Sequence, residues 1–377
     1  MTFQKLTNKK IVFFLYDLGL GGTEQVVVKL SNYFISQNNS VHILCVNNKN
    51  EFLGKLNNKV QVFSLDKKKI ILSLIQLIKF IHKENFDAFI ANVWPLTSIS
   101  IIAGLTKPSA LKKIFLVEHC NLSEEFKHKG KLFMLFQKIS IMLFHNLSSK
   151  VISVSGGVQN DLIKKGVRKK ICKIIFNPAF IEDSDLDFDL DPTCQKWSND
   201  QRCKLISIGN FKENNQKNYP NLIEALNILK KEKRLDFHSL IVGEGPGREK
   251  IEKMIEARGL SEDISLAGLV KNPIGLLKKS DMLVLSSNFE GFGLVIVEAL
   301  SVGVTVVSTD CLSGPSEIIK NNEFGYLCKV DDSNDLAKQI KFACSNKIDA
   351  EILKGRSKDF SIEKIGPIYK ELLDFPS

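Results

Sequence analysis

The sequence predicts an α/β protein built from two doubly wound parallel-sheet domains in tandem. Three observations carry that expectation. The chain has 377 residues, more than one ordinary domain holds. It opens with a strand, a glycine-rich break, a helix and a second strand. The same order starts again shortly after residue 200.

In the first half, residues 11–16 form a short apolar run bounded by "GLGG", a buried-strand signal. Val26, Val27, Leu30 and Phe34 then recur at helical spacing, and "SVHILCV" is the next strand. "DAFIAN", "KIFLVEH" and "KVISVS" supply three more. In the second half "KLISIGNF" reads as a strand and "NYPNLIEALNILKKEK" as an amphipathic helix. "FHSLIVGEGPG" is a strand ending in a glycine turn, "REKIEKMIEARG" a helix, and "ISLAG", "DMLVLS" and "VTVVST" further strands. The acidic "IEDSDLDFDLDPTCQKWSND" between the halves reads as an irregular linker or surface loop. Its aspartate repeat suits a solvated linker better than a metal site, because it lacks a strand and helix around it. The expected division is residues 1–180, residues 181–360, and a C-terminal helix over 361–377 packing back toward the first domain. Open parallel sheets bind ligands beyond the carboxyl ends of their strands, so two facing sheets would line a cleft with loops from both.

Composition narrows the function. Hydrophobic residues at 44% and charged residues at 25% are those of a water-soluble globular protein. No apolar run reaches the roughly 18 residues a membrane span needs. "MTFQKLTNKK" lacks the apolar stretch of a signal peptide. Eight scattered cysteines without a C-x-x-C pair fit reduced thiols in the cytoplasm and argue against a zinc site or a disulfide framework. The net charge of +10 is unevenly placed, with +16 in residues 1–180 and −6 in the remainder. Such a basic half attracts anionic partners, although a lysine-rich solvated surface gives the same count. No nucleic-acid motif or stacking pattern accompanies it, so nucleic acid is not an expected partner.

The chemistry concentrates in "SSNFEGFGLVIVEAL". A strand ends in a loop carrying Glu290, Gly291, Phe292 and Gly293, and a helix starts near Gly293. Glycines let the backbone approach a ligand closely. The amides of Gly293, Leu294 and Val295 at a helix start suit a phosphate. Glu290 stands before them to accept from hydroxyls. Glu298 follows eight residues later, about 12 Å away along a helix. Sugar, diphosphate and ribose would span that distance. A helix carboxylate paired with a nearby lysine is the plainer reading of Glu298 alone.

The Glu-x7-Glu pattern with "EGFG", then "EAL", "GPSEII" and "FGYL", resembles the retaining glycosyltransferases of family 4, whose fold is the two-domain GT-B architecture. "GGTE" at 21–24, "VEHCN" at 117–121, "IFNPAF" at 175–180 and "IVGEGPGREKIEKMIEARGL" resemble further family segments in the same order, over almost the whole chain. The resemblance implies that Glu290 contacts the donor sugar with the amides of Phe292 and Gly293. Leu294 and Val295 would hold the diphosphate, and Glu298 the ribose hydroxyls. Val270 would offer its backbone to the base. Gly21 and Gly22 would close over the phosphate, and His119 would point to the reacting face of the sugar. Without that context, a lone histidine at a strand end is more often structural. The family's arginine position holds Asn210, and Lys217 matches its lysine at a spacing longer by about two residues. Losing a fixed cation weakens leaving-group stabilisation, an effect of several kcal/mol. Lys217 is expected to do this work, with Lys212 as an alternative point charge.

The resemblance further implies a metal-independent enzyme with no cofactor beyond its UDP-sugar substrate. It would transfer a hexose or N-acetylhexosamine, GalNAc or Gal, with an α linkage to a lipid-linked saccharide in surface polysaccharide, lipopolysaccharide or glycan assembly. "KHKGKLFMLFQKISIMLFHNLSSK" (127–150) mixes lysines with a broad apolar surface broken by Gln137, Lys138 and Ser140. It suits either an anionic membrane interface or a buried helix of the first domain. With the basic half, it places the chain peripherally on the inner face of the cytoplasmic membrane. A UDP-N-acetylglucosamine 2-epimerase-like enzyme and a degenerate, non-catalytic sugar-binding scaffold remain as rivals.

Overall fold

The computed structural model describes residues 9–181, 192–270 and 272–374. The chain divides into two compact units. Unit 1 comprises residues 1–178 and the C-terminal segment from Ile362, and unit 2 comprises Ala179–Ser361.

Unit 1 holds a seven-stranded, all-parallel sheet: β1 (Lys10–Leu15), β2 (Ser40–Cys45), β3 (Gln61–Ser64), β4 (Ala88–Asn92), β5 (Ile114–Glu118), β6 (Lys150–Ser153) and β7 (Cys172–Ile174). Their spatial order is β3-β2-β1-β4-β5-β6-β7. β1, β2, β4 and β5 are almost wholly apolar and buried, as strands covered on both faces must be. The helices are α1 (Gly22–Ser36), α2 (Leu74–Lys83), α3 (Leu96–Leu105), α4 (Pro108–Leu111), α5 (Leu122–Glu125), α6 (Lys131–Phe144) and α7 (Gly156–Lys164).

Unit 2 repeats the plan with six parallel strands: β8 (Cys203–Ile208), β9 (Phe237–Val242), β10 (Ile264–Gly268), β11 (Met282–Leu285), β12 (Thr305–Thr309) and β13 (Tyr326–Cys328). Their order is β10-β9-β8-β11-β12-β13. Its helices are α8 (Pro192–Ser198), α9 (Tyr219–Lys231), α10 (Arg248–Ala257), α11 (Ile274–Lys279), α12 (Leu294–Ser301), α13 (Pro315–Ile319), α14 (Ser333–Ser345) and α15 (Ala350–Ser357). The last helix, α16 (Ile362–Asp374), packs on α1 of unit 1. Gly366 makes that contact close, since a Cβ there would come within 2.6 Å of the Tyr33 ring.

Two sequence expectations change. The interdomain stretch is not irregular throughout, because residues 192–198 form α8. There Pro192 opens the first turn and Cys194 and Trp197, one turn apart, are buried. The Trp197 indole donates to the His238 carbonyl at 3.0 Å, fixing the helix to β9. The aspartate repeat lies outside the described residues. Three strands also escaped the hydrophobic pattern: β3, β7 and β13.

Each sheet reverses its winding at one place, between β1 and β4 in unit 1 and between β8 and β11 in unit 2. Loops leave opposite faces there, so the carboxyl ends of these strands open a crevice. The residues singled out from the sequence lie on the loops that follow strands β1, β5, β8, β10 and β11, or on the helices those loops lead into.

Candidate active site

In unit 2 the loop after β8 meets the loop after β11. The aliphatic stem of Lys217 lies over Gly209, where a Cβ would come within 2.4 Å of Lys217 Cε. The ammonium then donates to Glu290 Oε1 at 2.7 Å. Ser287 Oγ donates to the same oxygen at 2.6 Å. Both charged side chains are largely buried, so the pair works in a low dielectric and each member depends on the other.

Polar contacts make the two loops one body. Ser286 Oγ donates to the Lys217 carbonyl at 2.7 Å, and the Asn288 side chain to the Asn215 carbonyl at 3.0 Å. Asn218 takes a left-handed conformation, φ 45°, and its amide bridges Asn288 Oδ1 and Asp331 Oδ1. The Tyr219 hydroxyl closes the loop on the Gly209 carbonyl at 2.7 Å. From the other side the turn after β9 presses on the same backbone. A Cβ on Gly243 would meet the Gly209 oxygen at 2.0 Å.

Gly293 precedes α12 at φ 96°, ψ 54°, a conformation natural to glycine. The amides of Leu294 and Val295 therefore open a helix and have no intrahelical acceptor. Gly291 and Phe292 are buried, and the Phe292 ring packs on Phe360 at 5.4 Å. Glu298, also buried, sits on the same helix. The structure thus groups Lys217, Glu290, Gly291, Phe292, Gly293, Leu294, Val295 and Glu298 in one loop-and-helix assembly. Asn210 and Lys212 are exposed just past β8. Val270 follows β10, two strands from β8 in the sheet.

The glycine of "GPSEII", given no role from the sequence, supports the assembly. Gly314 has φ 99°, and a Cβ on it would sit 2.0 Å from the Phe292 carbonyl oxygen. Gly314→Ala is expected to lose about 2–3 kcal/mol or more and to displace the Phe292–Gly293 backbone. Urea unfolding together with the KM for donor checks this. Unchanged stability and KM would show that the contact does not matter.

In unit 1, Gly21 precedes α1 and the Glu24 carboxylate folds back over it. A Cβ on Gly21 would come within 2.1 Å of Glu24 Oε2. Burial, with a smaller contribution from Asp17, raises the Glu24 carboxyl to about 7. Gly22 begins the helix.

His119 follows β5, two strands from β1. Its Nε2 lies 3.1 Å from Asn92 Oδ1. Asn92 Nδ2 donates to the Phe14 and Ile90 carbonyls, which leaves Oδ1 as acceptor and places the imidazole proton on Nε2. Nδ1 is buried with no hydrogen-bond partner among the described residues. Burial pushes the ring down to about 3, so it is neutral at physiological pH. Beneath it the fully buried Glu118 accepts from Trp94 N at 3.0 Å and Thr97 Oγ1 at 2.8 Å, with His145 Nε2 at 3.0 Å. Val93, beside Asn92, is held at φ 63°, which costs a β-branched residue about 1–2 kcal/mol. Asn92 and Glu118 were legible only as polar residues ending apolar runs, in "FIAN" and "VEHCN".

Two doubly wound parallel sheets, of seven and six strands, give the chain the GT-B fold of glycosyltransferases. Residues 20–179 match the profile described as Glycosyltransferase Family 4, and residues 195–360 the profile described as Glycosyl transferases group 1. The chain belongs to this family of glycosyltransferases. It is similar to the N-acetylgalactosamine-N,N'-diacetylbacillosaminyl-diphospho-undecaprenol 4-alpha-N-acetylgalactosaminyltransferase of Campylobacter jejuni. The two are 27% identical over 359 residues, covering 88% of this chain and 89% of that protein. The lipopolysaccharide 1,6-galactosyltransferase of Escherichia coli is 29% identical over 180 residues, 47% of each chain. The crystal structure of Anabaena HepE in complex with UDP and glucose shares the fold at a TM-score of 0.76. Its identity is 20%, with 97% of this chain and 99% of that one covered.

Proposed function

We propose that the protein transfers N-acetylgalactosamine, with galactose as the second choice, from its UDP-sugar to a lipid-linked saccharide. The anomeric configuration is retained and an α linkage forms, in the assembly of a surface polysaccharide, lipopolysaccharide or glycan. The observation that carries the reading is the buried Lys217–Glu290 pair beside the amino end of α12. Lys217 and the Leu294 and Val295 amides are suited to the charge that develops on a departing diphosphate. Glu290, fixed by Lys217 and Ser287, is suited to the donor sugar, and Glu298 to ribose hydroxyls. We assign Val270 to the base, Asn210 and the Gly291–Phe292–Gly293 backbone to the donor, and, within unit 1, His119 and the Gly21–Gly22 turn. The choice of sugar and of a lipid-linked acceptor is supported by the named activity of the Campylobacter relative. With such an acceptor the protein works at the inner face of the cytoplasmic membrane. No helix among the described residues is long and apolar enough to cross a membrane.

No divalent cation takes part in this scheme. UDP release by purified protein, screened over UDP-GalNAc, UDP-Gal, UDP-GlcNAc, UDP-Glc and GDP-mannose, is expected to be fastest with UDP-GalNAc and unchanged by EDTA. Release abolished by EDTA would refute the metal-free scheme. Conversion of UDP-GlcNAc to its 2-epimer without transfer would replace the reading with the epimerase alternative.

A further inference from the structure

Helix α6 (Lys131–Phe144) buries two polar side chains, packs Phe133 on Trp94 and leaves a broad apolar face outward. Its inward side carries Gln137, Ser140 and Ile141, all buried. Gln137 Oε1 accepts from the buried Lys165 ammonium at 3.0 Å. Ser140 Oγ accepts from the Trp94 indole at 3.4 Å and donates to Ser98 Oγ at 3.0 Å. Its outward side carries Leu132, Leu135, Phe136, Ile139 and Leu143, spaced as one helical face. Leu132 is 82% exposed and Phe136 64%. A helix facing water shows the opposite arrangement, apolar inward and polar outward. Scattered apolar residues on a surface need no explanation, whereas a contiguous stripe marks an interaction surface.

The surrounding charge selects the partner. Residues 126–160 contain no aspartate or glutamate. Lys127, Lys129, Lys131 and Lys138 are all exposed around the stripe. A second copy of the chain would bring the same lysines and be repelled, whereas an anionic lipid surface is complementary to both features. The neighbouring helix layer has the same character. α3 packs on both α6 and α2, and Ile71 and Leu72, on the turn before α2, and Ile75, in its first turn, are exposed, as are Lys68, Lys69 and Lys79.

We propose that α6 lies in the membrane interface, its Leu132–Leu143 stripe among the acyl chains and its lysines at anionic phospholipid headgroups. An apolar face in this setting sinks about 5–10 Å below the headgroups. The assignment deepens the reading of a lipid-linked acceptor but stands on its own geometry.

The test is co-sedimentation of the full chain with phosphatidylcholine vesicles, with and without phosphatidylglycerol. The wild type is expected to bind the phosphatidylglycerol vesicles at least about tenfold more tightly, with the advantage shrinking in high salt. Leu132→Ser/Phe136→Ser is expected to weaken that binding at least about tenfold. Each of Lys129→Gln, Lys131→Gln and Lys138→Gln is expected to weaken it roughly fivefold. UDP binding in solution should not change in any variant, which confirms folding. The proposal fails if the wild type ignores anionic vesicles, or if Leu132→Ser/Phe136→Ser binds them like the wild type. It also fails if the wild type is a dimer that these substitutions make monomeric. Failure of the transferase reading is visible separately, as wild-type protein that releases no UDP from any donor while vesicle binding is still decided.

Discussion

Glu290→Ala is expected to lower transfer by about a thousandfold or more while UDP binding persists. Glu290 Oε1 receives both the Lys217 ammonium and the Ser287 hydroxyl, so truncation removes a group suited to the donor sugar and releases Lys217 from its position. A single preorganised electrostatic contact at a reacting centre is worth about 2.7–4 kcal/mol, and this substitution disturbs two. Glu290→Gln separates the contributions. It retains an acceptor for Ser287 but removes the charge that holds Lys217, so its turnover should remain far below wild type. Steady-state rates with UDP-GalNAc, set beside UDP affinity from calorimetry, make the comparison. Near-normal turnover in Glu290→Ala would remove Glu290 from the reaction.

Lys217→Ala is expected to reduce turnover by roughly a hundredfold to a thousandfold and to lower stability by about 3–5 kcal/mol. The two effects have different causes. Turnover is expected to fall because Lys217 is the cation proposed for the departing diphosphate, with asparagine at position 210 where the family resemblance implies an arginine. Stability falls because Glu290 is left as a buried charge without its ion-pair partner. Lys217→Met/Glu290→Gln tests the division, since removing both charges avoids the orphaned carboxylate. Chemical denaturation should show the double variant more stable than Lys217→Ala, with turnover still low. If Lys217→Ala alone keeps near-normal turnover, the cation is elsewhere, with Lys212 first to examine.

The interior of both sheets was legible because a strand covered on both faces must be a continuous apolar run, as in residues 11–16 and "DMLVLS". The strands that escaped, β3, β7 and β13, are short and lie at sheet edges, where burial is incomplete. β3 reads Gln-Val-Phe-Ser with three of its four residues exposed, and β7 buries only Cys172 of its three. Helix α8 was hidden because only Cys194 and Trp197 mark it within an acid-rich stretch.

The candidate site divides in the same way. Glu290, Gly293 and Glu298 lie close together in sequence, so a loop and a helix start could be read directly. Ser287, Asn92 and Gly314 acquire their importance from partners brought in by the fold, at Glu290, His119 and Phe292. Helix α6 is the extreme case. Its apolar residues surround nearly the whole helix, and only the buried partners Lys165, Trp94 and Ser98 reveal which side faces inward.

The most direct test is transfer from UDP-GalNAc to a lipid-linked saccharide, with the new linkage read from the anomeric proton by NMR. An α-linked product from the wild type and none from Glu290→Ala is the predicted result. A β-linked product, or equal transfer by Glu290→Ala, would contradict a retaining transfer centred on the Lys217–Glu290 pair.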